Sequence, residues 1–195
     1  MASKKTTLAK AEKGAENKSA KPAELTPLMA MNAWALGPRA GGEQRYWLMK
    51  SEPDVFSISD LEKQKTTSWE NVRNYQARNY MTQGMMLGDR ALYYHSNAEP
   101  SGIAGVCEIV KRAYPDPTQF DAKSEYFDEG ATMDAPRWFM VDVGFVERFN
   151  SVISLDAMKA NPALEGMLVL QKGTRLSITP VTKEHFDAVL ALKPG

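Results

Sequence analysis

The chain predicts a small α+β barrel of about five strands with short flanking helices, and three observations carry that expectation. Residues 103–112 alternate strictly. Ile103, Gly105, Cys107 and Ile109 share one face and Ala104, Val106, Glu108 and Val110 the other, which is the period of a strand. Further strand signals recur at residues 46–49, 90–95, 138–148 and 174–179, most of them bounded by Gly, Pro, Ser, Asn or Asp. The helical stretches between them are brief and lack the long alternating rhythm of a doubly wound sheet.

Taken in order, residues 1–24 are mostly Lys, Ala, Glu and Ser. They hold too little apolar surface to offset the entropy of ordering and read as a disordered tail. Residues 25–45 read as a loosely ordered linker with a short helix around 28–36. This leaves one domain, 46–193, a reasonable size for a single core in a chain of 195 residues. Tyr46, Trp47, Leu48 and Met49 open it as a strand, stopped by the turn Ser51-Glu52-Pro53-Asp54. Ser57 or Ser59 caps a short helix over 58–63, and residues 68–73 read as loop. Asn74 caps a helix over 75–83 that Gly84 ends.

Gly88-Asp89 then turns the chain into strand 90–95, and residues 96–102 form a loop before the strand at 103–112. Residues 113–136, with Pro115, Pro117, Gly130 and Pro136, form an excursion long enough to mark a functional or mobile segment. After strand 138–148 come a short capped helix, 154–159, and a last strand, 174–179, before Pro180. Thr182 caps a C-terminal helix over 183–192 that buries Phe186, Val189 and Leu190. No internal repeat is visible.

Composition narrows the function. The 24 Lys and Arg balance 24 Asp and Glu, but residues 1–45 carry a net +4 and residues 46–195 a net −4. The body is therefore not a basic coat for nucleic acid, and any such binding must use a local patch and a shaped site. One cysteine, Cys107, excludes an intramolecular disulfide and fits a reducing compartment. No apolar run approaches the roughly 20 residues that cross a bilayer. The stretch 25–36 is broken by Pro27 and Asn32, so no secretory core is expected either. An intracellular protein without membrane contact is the expectation, cytoplasmic in a bacterium and nuclear in a eukaryote.

Catalytic patterns are lacking. There are two histidines, His95 and His185, and no G-x-S-x-G, H-E-x-x-H, C-x-x-C or phosphate-cradling glycine loop. Neither a metal nor a cofactor is expected, and the chain is not expected to be an enzyme. Binding chemistry is better represented. Trp47, Trp69, Tyr126, Phe127 and Trp138 offer walls on which a base can stack. Ser51, Asn71, Asn74, Gln76 and His95, with Ser96 beside it, offer polar groups for the edge of that base. Lys50, Arg73, Arg78, Lys172 and Arg175 offer charge for phosphate. Trp47 and Trp138 lie inside strand patterns and are candidates for the core instead, whereas Trp69 lies beside Asn and Arg in a predicted loop. Arg175 could equally pair with Glu184 or Asp142.

Several motifs coincide with a known family. YWLMKSEP at 46–53, W-x-x-V-R-N-Y-Q-A-R-N at 69–79, Gly88-Asp89 leading to YYHSN at 93–97, P-x-G-I-A-G at 100–105 and R-L-S-I-x-P-V at 175–181 together resemble the EVE domain, in order, from about 46 to 192. The resemblance implies a PUA-like pseudobarrel related to YTH and ASCH domains. It also implies a reader of modified bases, 5-methylcytosine and its oxidised forms in DNA being the ligands often proposed. By analogy with YTH readers, Lys50, Ser51 and Trp69 would border the pocket, with Tyr126 or Phe127 closing it.

The expected function is thus a non-enzymatic module binding DNA or RNA that carries a modified base. The candidate ligand-binding residues are Lys50, Ser51, Trp69, Asn71, Arg73, Asn74, Arg78, His95, Ser96, Tyr126 and Arg175. Two alternatives stand beside it: a PUA-like RNA-processing enzyme or hydrolase using Lys50, Glu52 or His95 as acid or base, and a protein-interaction module. Oligomeric state is open.

Overall fold

The computed structural model describes residues 26–193. The predicted tail, but for its linker end, therefore lies outside the described residues. Six strands form one mixed sheet in the order β2-β5-β4-β3-β1-β6, with short helices between them. The strands are β1 (Tyr46–Ser51), β2 (Thr66–Trp69), β3 (Arg90–His95), β4 (Gly102–Pro115), β5 (Phe139–Ser154) and β6 (Ile178–Val181). The α+β class is as predicted.

The short helix expected around 28–36 is present, and the segment that carries it is tied to the domain. Helix α1 (Pro27–Leu36) starts on a Thr26 cap and buries Ala35 completely. Arg45, itself buried, donates to the carbonyls of Ala35, Gly37 and Pro38, which returns the chain from α1 into β1. Asn32 meets the hydroxyl of Tyr80 and the side-chain amide of Gln76, so α1 is tied to the domain by named bonds.

β1 runs parallel to β3 and antiparallel to β6. Its apolar residues are buried on both faces, Trp47 and Met49 toward one cluster and Leu48 toward another. This explains why β1 reads as an unbroken apolar run rather than an alternating one. Between β1 and β3 the chain forms α2 (Ile58–Gln64), β2 and α3 (Tyr75–Asn79). Ser57 and Asp60 make a reciprocal capping box on α2, and Asn74 caps α3 by accepting from the Gln76 and Ala77 amides. The helix predicted over 75–83 is shorter as an α-helix and finishes as a π-helical turn, Tyr80–Gly84. A side chain at Gly84 would meet the Trp47 ring at 2.7 Å and the Ala35 carbonyl at 2.8 Å, which is why the turn ends on glycine.

β4 and β5 are the longest strands and pair from Gly102↔Ser154 to Pro115↔Phe139 with four register shifts. Bulges of this kind bend and twist a ladder, so the sheet curls upon itself. The predicted excursion at 113–136 is thereby corrected: β4 continues to Pro115, and residues 116–138 are the loop of a long hairpin that opens with a 3-10 turn, Pro117–Phe120. Two further predictions change. β2 occupies part of the predicted loop 68–73 and pairs with β5. The last strand is Ile178–Val181 and includes Pro180, which an edge strand tolerates because it needs only half of its N–H groups. The outer face of the sheet is covered by α4 (Leu155–Lys159) and α5 (Lys183–Leu190). Met158, Phe186 and Val189 of these helices pack with Leu48, Leu92 and Ile103.

Candidate functional site

The curl leaves a seam between the two ends of the sheet. β2 is one edge, β1 and β6 lie at the other, and no ladder joins them. A cleft of about 530 Å³ opens there. Lys50, Ser51 and Glu52 enter it from the end of β1, Thr67, Ser68 and Trp69 from β2, and Ser177 from the approach to β6. Its rim is built by Val55 and Phe56 ahead of α2, by residues 70–73, and by Tyr126 from the 116–138 hairpin loop. Its size and mixed lining suit a small planar ligand.

Trp69 ends β2 rather than lying in a loop. It is 8% exposed, packs edge-on against Tyr93 with ring centroids 5.5 Å apart, and belongs to the interior cluster as well as to the cleft wall. Trp47 gives its indole N–H to Asp89 and Trp138 gives its own to Asp128. The Trp69 indole N–H has no acceptor among the described residues, yet no side-chain donor sealed from solvent is left unpaired. Its Nε1–H therefore reaches solvent, on a ring that forms part of the cleft wall.

Behind the rim lies a polar hub that sequence reasoning missed. Asp116 is fully buried and accepts from the Asn71 amide at 2.9 Å and Arg73 Nη1 at 2.8 Å on one oxygen. Its other oxygen takes the Thr118 amide at 2.9 Å and the Thr118 hydroxyl at 2.6 Å. Burial alone would raise the Asp116 carboxyl. The Arg73 guanidinium, the Thr118 hydroxyl and the Asn71 and Thr118 amides outweigh it and hold the group below the usual carboxylate range. The only local sign was Asp116-Pro117-Thr118, a capping pattern that did not reveal its partners 43 and 45 residues away.

Arg73 is the hub's cation. It also donates to the Thr118 hydroxyl, to the Val72 carbonyl and twice to the Tyr126 carbonyl, at 3.0 and 2.7 Å. With these bonds its fork of donors is committed, so it orders the pocket instead of reaching for phosphate. Its guanidinium lies 5.4 Å from the Tyr126 ring centre and 5.5 Å from that of Trp138. Asn71 sits at φ 66°, a conformation that Asn adopts more readily than most residues, and this bends the chain so that its amide reaches Asp116.

Lys50 is half-buried in the cleft, 5.8 Å from the Tyr94 ring centre, and burial lowers its pKa without any opposing carboxylate. A cation in that position gains from an anionic or carbonyl ligand. The Ser51 hydroxyl donates to the Phe56 carbonyl at 2.8 Å, which leaves its lone pairs for accepting.

Of the predicted site residues, Lys50, Ser51, Trp69, Asn71, Arg73 and Tyr126 meet in this cleft. Five do not line it. The Asn74 oxygen is engaged in capping α3. Arg78 stacks on Tyr75 at 4.8 Å and donates to the Arg137 carbonyl, beside a separate open groove. His95 accepts the Ile58 amide on Nε2 and is lowered in pKa by burial. Ser96 gives its amide to the Ser51 carbonyl, and Arg175 is exposed, two residues before Ser177. Phe127 is exposed beyond the rim. Nor do the three acid–base candidates form a group: Lys50 and Glu52 share the cleft without pairing, and His95 stands outside it. Among the described residues there is no cluster suited to a metal, and no helix long and apolar enough to cross a membrane.

Comparison with known proteins gives this geometry a context. The model of the EVE domain matches residues 45–192. Human thymocyte nuclear protein 1 is 46% identical over 166 residues, covering 76% of this chain and 73% of that protein. A crystal structure of a Pseudomonas syringae protein superposes with a TM-score of 0.72 at 50% identity, covering 75% of this chain and 98% of the other. The crystal structure of the human THYN1 protein in complex with 5-methylcytosine containing DNA superposes with a TM-score of 0.70 at 45% identity, covering 78% and 99% respectively.

Proposed function

The chain belongs to the EVE domain family, and from that membership we propose that it is a reader of modified DNA, with a 5-methylcytosine-type base held in the seam cleft and no bond made or broken. The observation that carries the reading is the 45% identical human protein crystallised with 5-methylcytosine containing DNA, set beside a cleft whose chemistry suits that base.

Cytosine presents O2 and N3 as acceptors and its N4 amino group as a donor. The cleft offers Trp69 Nε1–H and the Lys50 ammonium as donors, and Ser51 Oγ, Glu52 and Glu70 as acceptors. The Tyr126 ring at the rim supplies a face, and aromatic stacking contributes about 1–3 kcal/mol per base. Extrusion from a duplex costs a few kcal/mol, so stacking and edge contacts offset it and phosphate contacts supply the remaining affinity. The methyl group has Phe56 and Val72 as apolar neighbours along the lining. One buried methyl contributes about 1 kcal/mol, which is a preference of roughly five- to tenfold over unmodified cytosine. Arg73 and Asp116 hold Asn71 and Tyr126 in place without touching the base.

The test is a fluorescence titration of the protein with matched duplexes carrying cytosine or 5-methylcytosine at two salt concentrations. The methylated duplex binds more tightly, binding weakens with salt, and Trp69→Phe, which keeps an aromatic in the core but removes the indole N–H that meets the base edge, lowers affinity for both duplexes. Equal affinity for both duplexes, unaffected by Trp69→Phe, would overturn the reading.

A further inference from the structure

A base that leaves a duplex leaves a gap, and the gap must be refilled if the neighbouring pairs are not to collapse. Resting on the reader function above, we propose that Val55 is the wedge that enters this gap when the cleft takes a base from double-stranded DNA. Several large apolar side chains are exposed among the described residues, including Tyr75, Leu87, Phe127 and Met133, but of these exposed groups Val55 is the one that lines the cleft. It is 79% exposed, so its surface is available to bases. Tyr75, an exposed aromatic, is engaged by Trp138 and Arg78 and does not line the cleft.

The support under Val55 is rigid. The amides of Val55 and Phe56 both donate to the Glu52 carbonyl at 2.9 Å, which closes the turn after Pro53. The Phe56 carbonyl is held in turn by the Ser51 hydroxyl at 2.8 Å and the Tyr93 hydroxyl at 2.7 Å, and its ring packs on the interior cluster. A side chain presented from so fixed a turn enters a stack with little ordering cost.

The charges beside it agree with insertion rather than with a path along phosphate. Glu52 and Asp54 flank Val55, both exposed, and two carboxylates would repel a backbone. They suit the base left unpaired. Guanine, the partner of 5-methylcytosine, offers adjacent N1–H and N2–H donors on its vacated edge, and a carboxylate accepts from both.

The experiment compares Val55→Ala and Val55→Leu with wild-type protein on 5-methylcytosine in a duplex and in the same single strand. 2-Aminopurine beside the target reports unstacking. Val55→Ala weakens duplex binding about five- to tenfold, the order of one lost apolar side chain, and weakens single-strand binding much less. Val55→Leu keeps duplex binding, and the 2-aminopurine signal of the wild-type complex falls with Val55→Ala. Equal losses on both substrates would make Val55 a cleft wall, and no loss on either would remove its role; each result overturns the wedge while leaving the reader intact. Wild-type protein with no methyl-dependent binding to either substrate would instead overturn the reader, and the wedge with it.

Discussion

Asp89 and Asp116 are both sealed from solvent and both collect N–H donors, yet the tryptophans associated with them end in different situations. Asp89 takes both arms of Arg39, the amides of Arg45 and Met86, and the indole of Trp47 at 3.0 Å. Trp47 there is wholly buried. Asp116 takes Arg73, Thr118 and the Asn71 amide, and leaves the indole of nearby Trp69 without an acceptor among the described residues. A buried carboxylate that consumes its tryptophan makes a cornerstone. One that braces the loop behind the tryptophan leaves that tryptophan for the proposed base site.

Removing Asp89 should have the largest effect. Asp89→Ala strands Arg39 and the Trp47 indole in a buried site and costs about 3–5 kcal/mol in chemical denaturation. A loss below about 1 kcal/mol would break the comparison at its structural end. Asp116→Asn keeps shape but loses charge-assisted bonds, for about 1.5–3 kcal/mol, and lowers DNA binding by more than the stability change explains. The sign with pH follows from its lowered pKa. The stabilisation by Asp116 is fully present above the ordinary carboxylate range and is lost as pH falls through its depressed folded value, so Asp116→Asn flattens the acid limb of the stability curve.

The elements that sequence exposed are those whose cause is local. Alternation located β4, Ser57, Asn74, Ser154 and Thr182 announced their helices, and Gly88-Asp89 its turn. β2 stayed hidden because four residues on a sheet edge carry little pattern, and their partner lies some 75 residues on in β5. The sequence pattern places the last strand at 174–179, ahead of Pro180, because proline normally stops a strand, a rule an edge strand escapes. In the cleft, the family resemblance led to Lys50, Ser51 and Trp69, and the polar side chain alone to Asn71. The Arg73–Asp116 pair was invisible because nothing at either position names a partner 43 residues away. Asn74 and His95 have side chains that suit reading, but backbone amides nearby occupy them first.

Two smaller effects sharpen the contrast. Trp47→Phe orphans one Asp89 contact and should cost about 1–3 kcal/mol of stability with little direct effect on affinity. Trp69→Phe reverses the order, with a modest stability loss and a binding loss near tenfold. Matching losses in both variants would erase the distinction. Lys50→Met should lower the salt slope of binding by about one unit if the ammonium meets a phosphate. Because burial lowers the Lys50 pKa, its charge and its contribution disappear as pH rises before the usual lysine value of about 10.4. Lys50→Arg should hold affinity to higher pH, as titrations at pH 7 and above would register.

The most direct measurement follows the indole N–H resonances of the tryptophans by NMR, assigned with Trp→Phe variants, while a 5-methylcytosine duplex is added. The account predicts that the Trp69 signal shifts strongly, and more than with unmethylated DNA, while those of Trp47 and Trp138, held by Asp89 and Asp128, stay in place. Methyl-dependent binding with an unmoved Trp69 signal would contradict it, because the base would then be seated somewhere other than the seam.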